Sequence, residues 1–158
     1  MIQRRHFLFI CTGNICRSPM AEAMFKAILP EDLLRSIAVS SAGTHAADGL
    51  PAEPNAVRAM QELCADLSGH RSRMVVPEWV ADADLVLVME RMHAIQIRDF
   101  ADIRKTEVRL LGEFGGQTKN GEIQDPYGGD LVRYRKTALQ IRGCLDGVIQ
   151  HVRQCLPT

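Results

Sequence analysis

An uninterrupted apolar run from Leu85 to Met89 limits the folds open to this chain more than any other segment. Its leucines and β-branched valines do not alternate with polar residues, which is typical of a strand covered by helices on both faces. Strands of this kind occur in parallel sheets whose connections are helical. The run therefore predicts an α/β fold in which residues 85–89 form a central strand.

The remaining segments fit the same architecture. Short apolar runs predict further strands at residues 6–10, 37–40 and 108–111. Helical patterns cover residues 19–29, a stripe through Val57, Met60, Leu63 and Leu67, and residues 131–152. With 158 residues, 46% of them hydrophobic, the chain is long enough to bury one core. We expect a single α/β domain over residues 1–158, a three-layer sandwich with a four-stranded parallel sheet flanked by helices on both faces.

Charge and cysteine content exclude several classes of protein. Lys plus Arg and Asp plus Glu are both 19, so the net charge is zero and nothing favours binding to nucleic acid or to a membrane surface.

The N-terminal apolar run ends at Cys11 after about five residues. It is too short for a signal peptide or a membrane span, so we expect a cytoplasmic protein. The five cysteines are an odd set without Cys-x-x-Cys spacing, which argues against a disulfide framework and a structural metal site.

The segment between the first predicted strand and helix has the composition of a phosphate loop. It reads Cys11-Thr12-Gly13-Asn14-Ile15-Cys16-Arg17-Ser18. Ligands of parallel sheets bind beyond the carboxyl ends of strands, where this loop would lie. Gly13 allows close approach of the backbone to an anion, and Asn14 tolerates positive φ, so successive amides can converge on one point. The following helix adds positive potential, and Arg17 can make a two-pronged contact to phosphoryl oxygens.

Cys11 is the candidate nucleophile of this loop. The converging amides and the helix end favour its thiolate form. Ser18 fits the N-cap of a helix that starts at Pro19 and ends before Pro30, and it can either serve as that cap alone or also donate a hydrogen bond to the thiolate. A buried packing cysteine is the alternative for Cys11.

Asp125 is the candidate general acid. It lies in Gln124-Asp125-Pro126-Tyr127-Gly128-Gly129, where the proline restricts the residue before it and the glycines permit a sharp turn. A carboxyl group could thus be presented from a fixed loop, with Tyr127 as an aromatic wall beside a substrate ring. The alternative is an ordinary turn with a partly buried tyrosine.

These motifs resemble the low-molecular-weight protein tyrosine phosphatases along nearly the whole chain. Residues 11–19 are similar to that family's phosphate loop, residues 41–44 and 69–73 to internal landmarks, and residues 125–127 to its acid loop. The resemblance implies hydrolysis of phosphotyrosine and aryl phosphates through a cysteinyl phosphate on Cys11. Arg17 would bind the phosphoryl group, and Asp125 would serve as acid and then base. No cofactor or metal is implied.

The resemblance also implies roles for neighbouring residues. The implied phosphate- and substrate-binding residues are Thr12, Gly13, Asn14, Ile15, Cys16, Ser18 and Tyr127. Ser41 and His70 would join Asn14 and Ser18 in a network that holds the loop. Cys16 would form a reversible disulfide with Cys11; the alternative is a packing cysteine.

Two rim segments are less aromatic than in eukaryotic members, residues 45–49 and Gly128-Gly129. Residues 89–93 and 111–114 look more like the bacterial branch associated with exopolysaccharide tyrosine kinases. A phosphotyrosine protein such as one of these kinases is the expected partner, and a monomer is expected.

Two other functions compete with this reading. Thiol-linked arsenate reductases share the loop but need two further cysteines after the central strand, whereas positions 75 to 143 contain none. A phosphate-binding module without turnover is the other rival. The presence of both Cys11 and Asp125 favours an enzyme.

Overall fold

A computed structural model describes residues 4–155, and its centre is a parallel sheet of four strands. The strands are β1 (Arg5–Cys11), β2 (Ile37–Gly43), β3 (Leu85–Val88) and β4 (Glu107–Leu110). Their order is β2-β1-β3-β4, and all three neighbouring pairs are parallel. The two central strands are thus β1, which leads into the phosphate loop, and β3, the apolar run.

Helices cover both faces of the sheet. They are α1 (Arg17–Ile28), α2 (Glu31–Leu34), α3 (Pro54–Glu62), α4 (Pro77–Asp82), α5 (Arg91–Phe100) and α6 (Leu131–Cys155), with a 3-10 turn at Leu111–Phe114. Buried side chains of α1, α3 and α6 form one core cluster, and those of α4 and α5 form a second. This arrangement confirms the predicted three-layer sandwich.

Alternation along β1 explains why Cys11 lies where it does. Phe7, Phe9 and Cys11 belong to the core under α1 and α6, whereas Leu8 and Ile10 belong to the core under α4 and α5. This is the side-chain period of two expected of a strand. Cys11 is therefore the last buried residue on the α1 face, at the carboxyl edge of the sheet.

Two local predictions are wrong. Helix α1 begins at Arg17 and its N-cap is Cys16, so Ser18 lies inside the first turn and is not the cap. The Ser18 hydroxyl is instead hydrogen-bonded to side chains of the phosphate loop. Helix α3 ends at Glu62, before Leu67, because Cys64 adopts φ 58° in the turn that follows. Leu67 is nevertheless buried.

Candidate active site

The phosphate loop and the acid loop line one cavity at the carboxyl end of β1. Its walls are Cys11, Thr12, Gly13, Ile15, Cys16, Arg17, Asp125 and Tyr127. The structure thus brings together the three residues expected to be catalytic, although Asp125 is far from the others in sequence. Of the residues expected to bind phosphate, Asn14 and Ser18 are fully buried behind this wall.

Asn14 organises the buried side of the loop. Its φ of 54° confirms the expected left-handed conformation. The Nδ2 group donates to Ser18 Oγ at 2.8 Å and to Ser41 Oγ at 3.0 Å, and Oδ1 accepts from the Arg73 amide at 3.0 Å. Because Ser18 Oγ accepts from Asn14, its own hydrogen can be donated to Cys11 Sγ, which lies 3.0 Å away. The Ser18 hydroxyl is thus placed to hydrogen-bond the Cys11 sulfur.

Two further residues complete this network. The Ser41 hydroxyl donates to Glu22 Oε2 at 2.5 Å, so a carboxylate on α1 fixes the orientation of Ser41. His70 Nε2 donates to the Asn14 carbonyl at 2.6 Å. The expected proximity of Ser41, His70, Asn14 and Ser18 is therefore present. The sequence analysis does not identify Glu22 as part of this network. A glutamate on the first helix has the same sequence pattern whether its side chain is exposed to solvent or bound to the site.

Gly43 lets the end of β2 approach the phosphate loop. A Cβ atom there would lie 2.4 Å from the Thr12 carbonyl oxygen and 2.9 Å from the Asn14 amide nitrogen. Both are backbone atoms, which cannot move without distorting the loop. Adjacent amides bind the same segment: Thr44 N donates to the Cys11 carbonyl at 3.0 Å and His45 N to the Thr12 carbonyl at 2.9 Å.

Arg17 is the largest fully buried side chain of the site. Its Nη1 group donates to the Glu90 carboxylate and, at 2.8 Å, to the Ile123 carbonyl. Nη2 lies 3.3 Å from Asp125 Oδ2. The buried Nε has no hydrogen-bond partner among residues 4–155. A phosphoryl oxygen in the cavity would satisfy this donor, as a two-pronged guanidinium contact requires.

Glu90 and His93 were not identified from the sequence as site residues. They follow β3 at the edge of the sheet where Cys11 follows β1, and the two strands are neighbours. His93 is fully buried, and its Nε2 lies 2.8 Å from Thr12 Oγ1. Burial, and then the nearby Arg17 charge, lower the pKa of His93 to about 4. The imidazole is therefore neutral near neutral pH.

Cys16 faces the core as well as the cavity. Its thiol lies 3.3 Å from Tyr134 Oη on α6, and burial raises its pKa to about 12. At neutral pH Cys16 is thus a thiol. This environment fits the packing role, and any redox role requires loss of the proton during reaction.

The acid loop is open to solvent. The Asp125 side chain is 46% exposed and Tyr127 is 63% exposed. The Tyr127 amide donates to Asp125 Oδ1 at 3.1 Å, which fixes the carboxyl group in the turn as the sequence suggested. Asp125 can therefore meet a leaving group at the mouth of the cavity.

Within residues 4–155, no cluster of three or more His, Cys, Asp or Glu side chains is placed to hold a metal ion. In the same part of the chain, no helix combines the length and apolar character that crossing a membrane demands.

Comparison with known proteins agrees with this geometry. The family model described as low molecular weight phosphotyrosine protein phosphatase matches residues 6–156. The probable low molecular weight protein-tyrosine-phosphatase EpsP of Ralstonia nicotianae is 34% identical over 92% of this chain and 94% of its own. A protein-arginine-phosphatase of Bacillus subtilis is 35% identical, over 93% and 96% of the two chains.

A solved structure extends the comparison to the fold. The low molecular weight protein tyrosine phosphatase from T. tengcongensis superposes with a TM-score of 0.83 at 36% identity, covering 93% of this chain and 99% of its own. The chain therefore belongs to the low molecular weight phosphotyrosine protein phosphatase family and is an enzyme of that class.

Proposed function

We propose that this enzyme hydrolyses phosphotyrosine in proteins through a phosphoryl group carried on Cys11. The thiolate attacks phosphorus while Asp125 gives its proton to the leaving phenolate oxygen. The Asp125 carboxylate then takes a proton from water, the water oxygen attacks phosphorus, and the Cys11 thiolate leaves. Arg17 and the loop amides bind the phosphoryl oxygens in both steps.

One observation carries this proposal: Cys11, Arg17 and Asp125 line the same cavity. The nucleophile lies at its buried base, next to the Ser18 hydroxyl. The acid lies at its exposed mouth, 3.3 Å from the guanidinium. A phosphate ester placed between them would have its phosphorus next to Cys11 and its leaving oxygen next to Asp125.

The cavity walls favour an aromatic substrate. Ile15 and Tyr127 offer apolar and aromatic surface on which a phenyl ring can pack. Phosphoarginine is the second candidate, because one relative is named a protein-arginine-phosphatase. Its guanidinium would need several hydrogen-bond acceptors, and among the side chains of residues 4–155 that line the cavity Asp125 is the one carboxylate.

A competition between two peptides tests the substrate class. We expect kcat/KM for a phosphotyrosine peptide to exceed that for the matched phosphoarginine peptide by about 100-fold, because unpaired guanidinium donors are costly to bury. Phosphate release from purified enzyme measures both rates. Equal rates, or a preference for phosphoarginine, would refute the assignment to tyrosine.

The acid role of Asp125 has a kinetic signature. Asp125→Ala is expected to lower kcat/KM for aryl phosphates with poor leaving groups by about 10³-fold, and kcat/KM for esters of acidic phenols far less, since these leave without a proton. A series of substituted phenyl phosphates measures this dependence. Asp102→Ala, which removes an exposed carboxylate paired with Arg104, is the matched control. A uniform loss of kcat/KM across the series would remove Asp125 from the acid role.

We also propose that Cys16 forms a disulfide with Cys11 after oxidation by peroxide. Peroxide converts the Cys11 thiolate to a sulfenic acid, and the Cys16 thiolate displaces hydroxide from that sulfur. Because burial raises the pKa of Cys16, this second step is expected to accelerate about tenfold per unit of rising pH above neutrality. Quenched mass spectrometry follows the disulfide, with Cys16→Ser as control. Absence of the disulfide after oxidation would argue for Cys16 as a packing residue.

We also propose a partner and a cellular location for this enzyme. The bacterial-branch features of residues 89–93 and 111–114 support a tyrosine kinase of exopolysaccharide synthesis as the partner. Five free cysteines suit a reducing cytoplasm. We propose one domain over residues 1–158, because the described helices pack on one sheet. We also propose that the protein is a monomer. Residues 1–3 and 156–158 of that domain lie outside the described part.

A further inference from the structure

We propose that His93 is a positioning residue for the phosphate loop, holding the Thr12 hydroxyl through its Nε2–H group. Thr12 directly follows the nucleophile and lines the cavity, whereas His93 lies on α5, beyond the end of β3. The inference rests on the proposed role of Cys11, and it gives Thr12 and His93 a joint role in shaping the site.

The hydrogen bonds around the imidazole determine its tautomer. The backbone amide of Glu90 donates to His93 Nδ1 at 3.1 Å, as part of a reciprocal capping box at the start of α5. Nδ1 must therefore be the unprotonated nitrogen. The ring proton then lies on Nε2, which donates to Thr12 Oγ1 at 2.8 Å. The contact has one direction, from histidine to threonine.

The same segment also holds the other end of the loop. The Glu90 side chain accepts from the His93 backbone amide in the capping box and from Arg17 Nη1. The capping box thus fixes the Glu90 carboxylate, which orients Arg17. The buried His93 ring fixes Thr12, the residue after the nucleophile. Residues 90–93 therefore bind the phosphate loop near both of its ends, at Thr12 and at Arg17.

This arrangement requires the neutral form of the His93 ring, and burial favours that form. His93 is fully buried and lies near the permanent charge of Arg17, so the neutral ring is favoured. A protonated ring could not accept from the Glu90 amide. The capping box, the tautomer and the Thr12 contact are consequently parts of one arrangement.

Paired variants test the contact. Asn is the informative replacement for His93, because its Oδ1 can still accept from the Glu90 amide while its side chain is too short to reach Thr12. Thr12→Val removes the hydroxyl and keeps the shape. Each is expected to lower kcat/KM for p-nitrophenyl phosphate by about 5-fold, the effect of losing one neutral hydrogen bond. The inhibition constant of inorganic phosphate is expected to rise by a similar factor.

The double variant separates positioning from general destabilisation. Thr12→Val/His93→Asn is expected to be no worse than either single variant, because both remove the same contact. Thr12→Ser keeps the hydroxyl and is expected to lose less activity than Thr12→Val. His151→Asn, on α6, is the control for replacing a histidine. Losses that multiply to about 25-fold in the double variant would overturn the proposal.

A spectroscopic test does not depend on activity. Nitrogen-15 spectra of the histidine side chains are expected to show His93 with Nε2 protonated and Nδ1 bare near neutral pH, and Thr12→Val is expected to shift the Nε2 proton resonance. An Nδ1-protonated or charged ring would overturn the inference. Wild-type enzyme without activity on p-nitrophenyl phosphate would instead refute the proposed function, leaving this spectrum as the independent test.

Discussion

Cys11→Ser is expected to lower turnover of aryl phosphates by about 10⁴-fold or more while phosphate binding persists. The serine hydroxyl has the position of the thiolate but little nucleophilicity near neutral pH. The loop amides and Arg17 are unchanged, so they still bind an oxyanion. The variant also lacks the thiolate of the proposed mechanism, which would repel a phosphate dianion. Inorganic phosphate is therefore expected to bind as tightly as to wild type, or more tightly.

Calorimetry with inorganic phosphate and steady-state kinetics together measure this separation. Cys64→Ser is the matched control, since this cysteine is exposed in the turn after α3. A Cys11→Ser enzyme with more than a hundredth of wild-type activity would contradict the nucleophile assignment. Loss of both activity and phosphate binding would mean that Cys11 acts mainly in the structure of the loop.

Arg17→Lys is expected to lower kcat/KM by about 10³-fold despite conserving the charge. The guanidinium contacts the Glu90 carboxylate, the Ile123 carbonyl and Asp125, and its buried Nε has no hydrogen-bond partner among residues 4–155. A lysine ammonium is a point donor on a flexible stem and cannot reproduce this planar set. We expect the lysine to remain with Glu90 and the phosphoryl group to lose its two-pronged contact.

Phosphate affinity and thermal unfolding distinguish binding from stability. Arg17→Lys is expected to weaken the binding of inorganic phosphate. It is also expected to destabilise the fold by about 1–3 kcal/mol, because the buried hydrogen-bond acceptors around residue 17 are left poorly satisfied. Arg142→Lys, which alters an ion pair with Asp146 on α6, is the control. Activity within tenfold of wild type would show that charge alone suffices at this position.

The main elements of the fold and the residues of the cavity could be predicted from sequence because their signals are local. The apolar run at 85–89 and the strand before Cys11 have the composition of buried parallel strands, and the Gly13-Asn14 pair has the conformational freedom that a loop of converging amides needs. For Asp125 the local sequence left an ordinary turn as the alternative, and the family resemblance favoured the role of general acid. Its approach to Arg17 depends on tertiary structure.

The errors and omissions have physical causes as well. The position of Ser18 before Pro19 predicts an N-cap, but its hydroxyl is hydrogen-bonded to Asn14 and lies against Cys11, the second contact being the other role expected of it. Glu90 and His93 reach the loop because β3 lies beside β1, which strand composition alone does not determine. A sequence reading could have found them by asking which polar residues follow each predicted parallel strand.

Chemical trapping of the intermediate tests the central claim most directly. Asp125→Ala keeps the nucleophile but lacks the base that activates water, so p-nitrophenyl phosphate is expected to load the enzyme faster than the intermediate hydrolyses. Acid quench followed by peptide fragmentation is predicted to find one phosphoryl group on Cys11 and none on Cys16. A phosphoryl group on another residue, or a burst of nitrophenol from enzyme that carries no phosphoryl group, would contradict the account.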